Sequence, residues 1–301
     1  MAKLLIIMHG KVALNDAVRS AIMAVRDIGH LVDVRVTWEA GDAELFATAA
    51  ARSCTFDTVV AAGGDGTVNA VVTGLMHSGV ERLPALAILP TGTANDFARA
   101  CEIATGNPLS ALMLALESDA VAVDVGVVNQ RCFLNVATGG FGAEITTTTP
   151  EELKRILGGV AYLVTGIQQA ANLRLSEATI RGPDFDWQGS FLALAVGNGR
   201  YAGGGIPMCT DALINDGLLD ISILRDVTAD ELPRVMTDIL IRGMRAREAA
   251  LVSARVSELS IHSEAPLQLN LDGEPLQNTD FHFSVRAGAL LMHLPSTSPV
   301  L

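Results

Sequence analysis

The chain has 301 residues, of which half are hydrophobic and 18% are charged, and its formal net charge is −12. This composition predicts a substantial core and excludes global disorder, and the negative charge disfavours nucleic acid as a partner. No apolar run approaches the roughly 18 residues that a membrane-spanning helix needs, and the opening MAKLLIIMHG has too short an apolar core for a secretory signal. We therefore expect a cytoplasmic protein. The four cysteines are far apart, so neither a zinc site nor a disulfide framework is expected.

The first third of the chain alternates short apolar runs with segments of helical periodicity. Buried strands are predicted at residues 4–8, 32–36, 58–62 and 86–89. Helices are predicted at 12–28 and 42–52, and around the apolar residues between 68 and 76. This alternating order predicts an α/β domain with a parallel sheet covered by helices on both faces.

The pattern changes near residue 120. Short alternating runs then predominate, which is typical of a β-rich region with short turns. We expect two domains with a break near residue 122. The predicted elements of the second domain are strands at 120–128, 132–137, 177–181, 190–196 and 218–224, helices at about 150–172 and 229–246, and further strands to the end of the chain.

A glycine-rich turn, GGDGT at residues 63–67, follows the strand predicted at 58–62. Glycines let a backbone approach a phosphate group closely, and the amides of a following helix then point at the anion. Asp65 suits a magnesium ion that bridges phosphates, and Thr67 could cap the helix or donate to a phosphate oxygen. From these residues alone, a helix-capping turn without a ligand is equally consistent with the pattern.

A second turn of the same kind, LPTGTAND at residues 89–96, also follows a buried strand and precedes a helical run. The two turns could converge on one crevice, because ligands of open α/β sheets bind at the carboxyl ends of the strands. The standard GxxxxGK[ST] and GxGxxG motifs are absent. The segment 197–202, GNGRYA, matches a GxGxxA variant, but no helical pattern follows it.

Together, these turns resemble the signature of the diacylglycerol kinase catalytic family, GGDGT followed by GTxND. The bacterial YegS-type lipid kinases are the branch that the sequence resembles most. Four further segments are similar in form to that branch: VRVTW (34–38), ATGGFG (137–142), ALINDGLL (212–219) and LDGEPL (271–276). GNG (197–199) with AGGG (202–205) resembles the central strands of the wider family.

The resemblance implies an architecture of two domains. An α/β nucleotide-binding domain, similar to those of NAD kinases and phosphofructokinases, would comprise residues 1–122 plus about 288–301. A β-sandwich-like second domain would comprise residues 123–287, and the active site would lie in the cleft between the two. The return of the last strand to the first domain follows from the resemblance alone.

The resemblance also implies an ATP-dependent lipid kinase, which transfers the γ-phosphate of ATP to a free hydroxyl of a lipid such as phosphatidylglycerol or diacylglycerol. Asp65 would be the essential acid, linked to Mg²⁺. Many relatives carry glutamate where this chain has Ala70, so any role of that carboxylate is lost here. Lys11 either reaches a phosphate or is a solvated surface lysine. The expected nucleotide contacts are Thr37, Gly63, Gly64, Asp65, Gly66, Thr67, Val68, Asn69, Ala70 and Thr93.

Glu274 is the expected catalytic base. On sequence grounds, Asp-Gly after an alternating strand is a common hairpin turn, so LNLDGEPL by itself favours a plain hairpin. The resemblance assigns Glu274 to proton abstraction from the acceptor hydroxyl. Burial or a neighbouring carboxylate would then be needed to raise its pKa, and Asp272 either provides that carboxylate or serves only as a turn residue.

An auxiliary metal site is implied in the loop before residue 219. The carboxylate of Asp216 and the main-chain carbonyls of Leu213 and Leu218 would hold Mg²⁺, or Ca²⁺, as hard oxygen ligands. Judged from the residues alone, Asp216 is a turn residue between two strands.

The lipid acceptor implies transient contact with a membrane surface. Arg242, Arg245, Arg247 and Arg255 either meet anionic headgroups there or form an ordinary charged face. Two other functions remain open at this point: a kinase of a soluble polyol or sphingoid-like alcohol, and a catalytically silent nucleotide-binding regulator. The oligomeric state is open as well.

Overall fold

The computed structural model describes residues 1–140, 175–225, 231 and 251–301. The chain forms two compact units, one of Met1–Asp124 with Gly288–Leu301 and the other of Val125–Ala287. The helices expected at 150–172 and 229–246 lie outside the described residues. Within the described residues, no helix is both long and apolar enough to cross a membrane.

The first unit contains a parallel sheet with helices beside it. Strands β1 to β4 are Lys3–His9, Leu31–Thr37, Thr58–Gly63 and Ala85–Pro90, arranged in the order β2-β1-β3-β4 with parallel pairing throughout. Helices α1 to α5 are Asp16–Asp27, Asp42–Ser53, Asp65–Met76, Asp96–Ala100 and Pro108–Glu117. All six residues of β3 are buried, as expected of a central strand covered on both faces.

The first helix begins later than its periodicity predicts. Val12–Leu14 forms a short 3₁₀ turn, and α1 starts at Asp16. The side chain of Asn15 accepts hydrogen bonds from the backbone amides of Ala17 and Val18, at 2.9 and 3.3 Å, and so caps the helix. The predicted start at residue 12 is therefore wrong. Apolar residues occur upstream of Asn15, but the cap at Asn15 sets the start of the helix.

The second unit is almost entirely antiparallel. Its strands are β5 Ala120–Val128, β6 Arg131–Phe133, β7 Val136–Gly140, β8 Ser176–Gly182, β9 Phe185–Gly197, β10 Tyr201–Ala202, β11 Ile206–Pro207, β12 Leu219–Arg225, β13 Leu251–Val256, β14 Glu258–Leu271 and β15 Glu274–His293. The described strands run in the order β13-β12-β9-β7-β14-β15, and β8 pairs with β9 and β14. Phe133 and Phe283 pack edge to face in its core, with ring centroids 6.0 Å apart.

The strand predicted at 132–137 is two strands, β6 and β7, separated at Leu134 and Asn135. The cause is the carboxylate of Asp272, which accepts hydrogen bonds from the backbone amides of Leu134, Asn135 and Val136. These amides turn toward a side chain instead of a neighbouring strand, and pairing is interrupted there. The prediction of one continuous strand is wrong for this reason.

The last strand, β15, ends in the first unit beside β4, where Met292 lies opposite Leu86. The next residue, His293, is held through both ring nitrogens. Its Nε2 lies 3.2 Å from the hydroxyl of Thr58, and its Nδ1 lies 3.0 Å from the carbonyl oxygen of Ser118. Burial lowers the pKa of His293, although the Ser118 carbonyl and the charge of Asp119 act in the opposite direction.

We expect the first unit to lose stability as the pH falls through about 6.5, the pKa of an unperturbed histidine. The folded-state pKa of His293 is depressed, so the unfolded chain takes up the proton first, and the stability present at higher pH is lost as the pH falls toward the folded-state pKa. Urea unfolding of the wild type and His293→Gln at pH 8, 7, 6 and 5 measures this. The difference in the free energy of unfolding between the wild type and His293→Gln should shrink toward low pH. A difference that stays constant with pH would contradict this role of His293.

Candidate functional site

The turns after β3 and β4 are in direct contact. The amide of Thr91 donates to the carbonyl oxygen of Gly63 at 3.0 Å. A Cβ atom built on Gly92 would lie 2.4 Å from the Cα of Gly64, a distance shorter than Cβ atoms show to other atoms in proteins. Glycine is therefore required by the close approach of the two backbones, and the two turns form one surface at the carboxyl end of the sheet.

Asp65 joins the two turns through its carboxylate. One oxygen accepts from the backbone amide of Asp96 and the other from that of Phe97, both at 3.1 Å. Asp65 thus caps the start of α4, although it is itself the first residue of α3. A carboxylate has about four acceptor positions, so these two bonds leave room for a cation or a further donor.

Asn95 closes the second turn, a role that the sequence analysis did not assign. Its side-chain oxygen accepts from the amide of Gly92 at 2.9 Å, and its side-chain nitrogen donates to the Gly92 carbonyl at 2.8 Å. Asn95 has a left-handed backbone with φ of 52°, a conformation that asparagine tolerates better than most residues. The Gly-Thr-Ala-Asn spacing carries this signal, because asparagine commonly bonds to nearby backbone in turns.

The N-terminus of α3 is suited to an anion. Its N-cap residue is Gly64, and no side chain among the described residues caps its first turn. A Cβ on Gly66, in the first turn, would meet no described atom within 4 Å outside its chain neighbours and the backbone of the helix. The first amides of a helix lack partners within the helix and carry partial positive charge. An anion of the size of a phosphate would satisfy both conditions.

Two buried polar atoms near the turns lack a hydrogen-bond partner in the part of the chain that the structure describes. They are the side-chain oxygen of Asn69, in α3, and the hydroxyl of Thr91, after β4. Buried polar groups in proteins are nearly always paired, so unpaired ones at a candidate site indicate a missing ligand or water. The expected nucleotide contact at Asn69 has this independent support.

The other expected nucleotide contacts lie at the same end of the sheet or on α3. Thr37 is the last residue of β2 and is half-buried, while Thr93 is exposed between β4 and α4. Val68 is buried in α3 and Ala70 is half-buried there. Lys11 is exposed, after β1.

A methyl group at Gly92 should destabilise the protein by about 1–3 kcal/mol, the usual cost of overpacking, because the atom it would meet is backbone and cannot rotate away. The matched control is Gly66→Ala, where the added carbon meets open space and the residue is helical, so stability should be unchanged or slightly raised. Urea unfolding of Gly92→Ala, Gly66→Ala and the wild type measures both. Equal stabilities for the two variants would contradict the contact between the turns.

Glu274 begins β15, directly after a two-residue turn. Leu271 and Glu274 are paired across the hairpin, and the turn residues Asp272 and Gly273 both have positive φ, 49° and 102°. This is the backbone that Asp-Gly favours in tight hairpins. The side chain of Glu274 is exposed.

Asp272 anchors this hairpin. Its carboxylate accepts from the amides of Leu134, Asn135 and Val136 at 2.7, 3.1 and 3.1 Å. The position of Glu274 is therefore fixed relative to the junction between β6 and β7. The sequence left open whether Asp272 assists Glu274 or only forms the turn, and the structure shows a third role, as a bridge to a distant segment.

The GNG segment supports the same junction from the other side. The amides of Asn198 and Gly199 donate to the carbonyl oxygen of Asn135 at 3.0 and 2.7 Å, and the side-chain nitrogen of Asn198 donates to that of Leu134 at 2.9 Å. A Cβ on Gly199 would lie 2.5 Å from the side-chain oxygen of Asn135. Close packing against Asn135 therefore explains why residue 199 is glycine. The next element after this segment is the strand β10 and not a helix.

The loop expected to hold an auxiliary metal has another partner. One carboxylate oxygen of Asp216 accepts from the amide of Leu218 at 3.0 Å, and the other accepts from the guanidinium of Arg255. The described residues contain no group of three or more His, Cys, Asp or Glu side chains that could hold a metal ion. With its carboxylate already engaged by a cation, this donor set does not fit a divalent metal as it stands.

Arg255, one of the four arginines expected either to meet lipid headgroups or to form a charged face, bonds to both Asp216 and Asp220. The other three members of that set, Arg242, Arg245 and Arg247, lie outside the described residues.

Two family models match the two parts of the chain. Residues 3–128 match the diacylglycerol kinase catalytic domain, and residues 135–293 match the YegS C-terminal NAD kinase β-sandwich-like domain. The crystal structure of a "putative diacylglycerol kinase" from Bacillus anthracis strain Sterne superposes with a TM-score of 0.82 at 26% identity, covering 100% of this chain and 97% of that one. The fold and its paired domains thus define the class of diacylglycerol kinase-like enzymes, and the expected two-domain architecture is confirmed.

Two relatives described as "Probable lipid kinase YegS-like" cover almost the whole chain. The one from Alcanivorax borkumensis is 47% identical, with 99% of each chain covered. The one from Pseudomonas aeruginosa strain UCBPP-PA14 is 46% identical, with 99% of this chain and 96% of the relative covered. The chain belongs to the YegS-like lipid kinase family.

Proposed function

We propose that the protein transfers the γ-phosphate of ATP to a free hydroxyl of a lipid such as phosphatidylglycerol or diacylglycerol. The observation that carries this proposal is the pair of touching glycine turns beside the uncapped N-terminus of α3. Phosphoryl transfer depends mainly on positioning and charge stabilisation, and backbone amides held in this way supply both. Membership of the lipid kinase family supplies the class of acceptor.

The nucleotide would be bound by a domain of residues 1–122 plus 288–301, with residues 123–287 as the second domain. The turn 63–67 would hold the phosphates, with Asn69 and the backbone at Ala70 on the same helix, and Thr37 and Thr93 would make further contacts. Asp65 has acceptor positions to spare and is the residue that would hold a magnesium ion. When bound, that ion would offset the charge of the phosphates.

Glu274 is the proposed base for the lipid hydroxyl. Its side chain is exposed at the tip of a hairpin, so an acceptor can reach it, and the hairpin is fixed by Asp272. Carboxylates serve as the proton acceptor for a substrate hydroxyl in other phosphotransferases.

The protein is proposed to be cytoplasmic, to touch membranes only transiently, and to bind no nucleic acid, in keeping with its net charge of −12. The auxiliary Mg²⁺ or Ca²⁺ expected from sequence at Leu213, Asp216 and Leu218 would require Arg255 to release Asp216, and Arg255 is proposed below to hold the site instead.

The decisive experiment incubates the purified protein with γ-labelled ATP, magnesium and fractionated bacterial lipids, and identifies the products by mass. We expect a phosphorylated lipid. A phosphorylated soluble polyol or amino alcohol without a lipid product would favour the soluble-substrate alternative. ATP binding without any product would indicate a silent regulator.

A further inference from the structure

Two carboxylates and one guanidinium meet at the start of β12. Asp220, in β12, lies directly opposite Arg255, in β13, in the antiparallel pair of these strands. The Nε of Arg255 donates to Asp220 at 3.3 Å, and a terminal nitrogen of the same guanidinium donates to Asp216. A single guanidinium therefore bridges both carboxylates, and strand register fixes one half of the bridge.

The rest of this loop is also held by protein groups. Gly217 has a φ of 73°, and the turn it forms brings the Leu218 amide to the second oxygen of Asp216. At the other end of the loop, Arg200 donates to the carbonyl oxygen of Ala212 at 2.8 Å. The loop 212–218 is thus fastened at both ends by arginine side chains.

The two carboxylates are more buried than the guanidinium that bridges them, and this makes their charge costly unless it is compensated. The side chains of Asp216 and Asp220 are only 20% and 10% exposed, whereas that of Arg255 is 41% exposed. Burial raises the pKa of Asp220, and the charges of Arg255 and Arg200 counteract this. Two partly buried carboxylates need compensating charge, and charge-assisted hydrogen bonds from a forked guanidinium provide it.

A divalent cation at Asp216 would compete with this arrangement. Magnesium needs six oxygen ligands in near-octahedral geometry and calcium needs six to eight, so the approaching ion requires free carboxylate oxygens. Each oxygen of Asp216 accepts one hydrogen bond, as each oxygen of Asp65 does, but at Asp216 one of the donors is a guanidinium, so an ion bound there would lie beside a group of like charge. The ion could enter only if Arg255 moved away.

We propose that Arg255 is the resident cation of this loop and takes the place of the divalent metal expected at Leu213, Asp216 and Leu218. The order of the loop and of the β12–β13 pair then depends on Arg255 and is independent of Mg²⁺ and Ca²⁺. Removing the guanidinium leaves the carboxylate of Asp216 without its charged partner, so a divalent cation can then bind there. This inference does not rest on kinase activity.

The test measures thermal unfolding without nucleotide, in EDTA and in millimolar Mg²⁺ or Ca²⁺. The proteins are the wild type, Asp216→Asn, Arg255→Met, and the double variant of Arg255→Met with Asp216→Asn. Cation binding elsewhere should shift the unfolding temperature of proteins with and without the Asp216 carboxylate equally. Any difference between their shifts therefore reports cation binding at this loop.

We expect the cations to shift the wild type and Asp216→Asn equally. Arg255→Met should unfold at a lower temperature in EDTA and recover by roughly 2–4 °C when cation is added, and the double variant should not recover. A cation shift in the wild type that Asp216→Asn abolishes would overturn the proposal, and this comparison stands even if Arg255→Met does not fold. A folded Arg255→Met without an Asp216-dependent shift would overturn it too. Absence of lipid phosphorylation would contradict the proposed function, but it would not change these thermal shifts or the conclusion drawn from them.

Discussion

Replacing Glu274 by glutamine will lower the turnover rate of lipid phosphorylation by about 10²–10⁴-fold, the usual contribution of a general base. Glutamine keeps the size of the side chain and the paired position opposite Leu271, so the hairpin should remain folded. Glutamine cannot accept the hydroxyl proton. The measurement is the initial rate at saturating ATP, with the lipid acceptor that the product screen proposed above identifies.

The matched control is Glu258→Gln. Glu258 is also an exposed glutamate at the first residue of a strand, β14, and has no role in the proposed chemistry. It should retain the wild-type rate. The affinity for ATP should be the same in all three proteins, because the proposed nucleotide contacts lie in the other unit. A Glu274→Gln enzyme with the rate of the wild type would remove Glu274 as the base.

Replacing Asp272 by alanine should destabilise the second unit by about 3–5 kcal/mol. Three backbone amides, those of Leu134, Asn135 and Val136, would lose their acceptor, and each bond to a charged group contributes about 1.5–3 kcal/mol, less when they are lost together. Asp272→Asn keeps one acceptor oxygen and a residue type that tolerates positive φ, so it should fall between alanine and the wild type.

The control for the backbone conformation is Asp184→Ala. Asp184 also has a positive φ, 55°, in the turn between β8 and β9, and is exposed. The Asp184→Ala variant therefore measures the cost of placing alanine at positive φ, without the loss of three hydrogen bonds from backbone amides. Urea unfolding of these variants gives the ordering. If Asp272→Ala and Asp184→Ala lose the same stability, the anchoring role of Asp272 is wrong.

Local features of the first unit were predictable from sequence. The strand expected at 58–62 is observed at Thr58–Gly63, and that expected at 86–89 at Ala85–Pro90. Short apolar runs that end at glycine or proline specify such strands without information from elsewhere in the chain. The helix α5 was not identified, although Asn107 caps it and Pro108 opens it, both of which are recognised start signals.

The contacts that shape the candidate site could not be predicted, because they join segments far apart in sequence. Asp65 was identified as an acidic residue of a phosphate-binding turn, yet its cap on Phe97 spans 32 residues. Asp272 bonds to Leu134 across 138 residues. Arg255 meets Asp216 only because β12 and β13 pair in one particular register. Periodicity reports which residues are buried but carries no information on strand register.

The first unit is assembled from both ends of the chain, and this has a consequence for how the protein is made. Met292 completes the sheet beside β4, and His293 ties β15 to Thr58 and Ser118. On the ribosome, the N-terminal residues emerge first but cannot complete their sheet until the C-terminal residues have been released. Domains usually fold in order of synthesis, and here the second unit can close before the first. A chain arrested on the ribosome with residues up to 287 outside the exit tunnel and residues 288–301 still inside it should therefore carry a protease-resistant second unit and a protease-sensitive first unit.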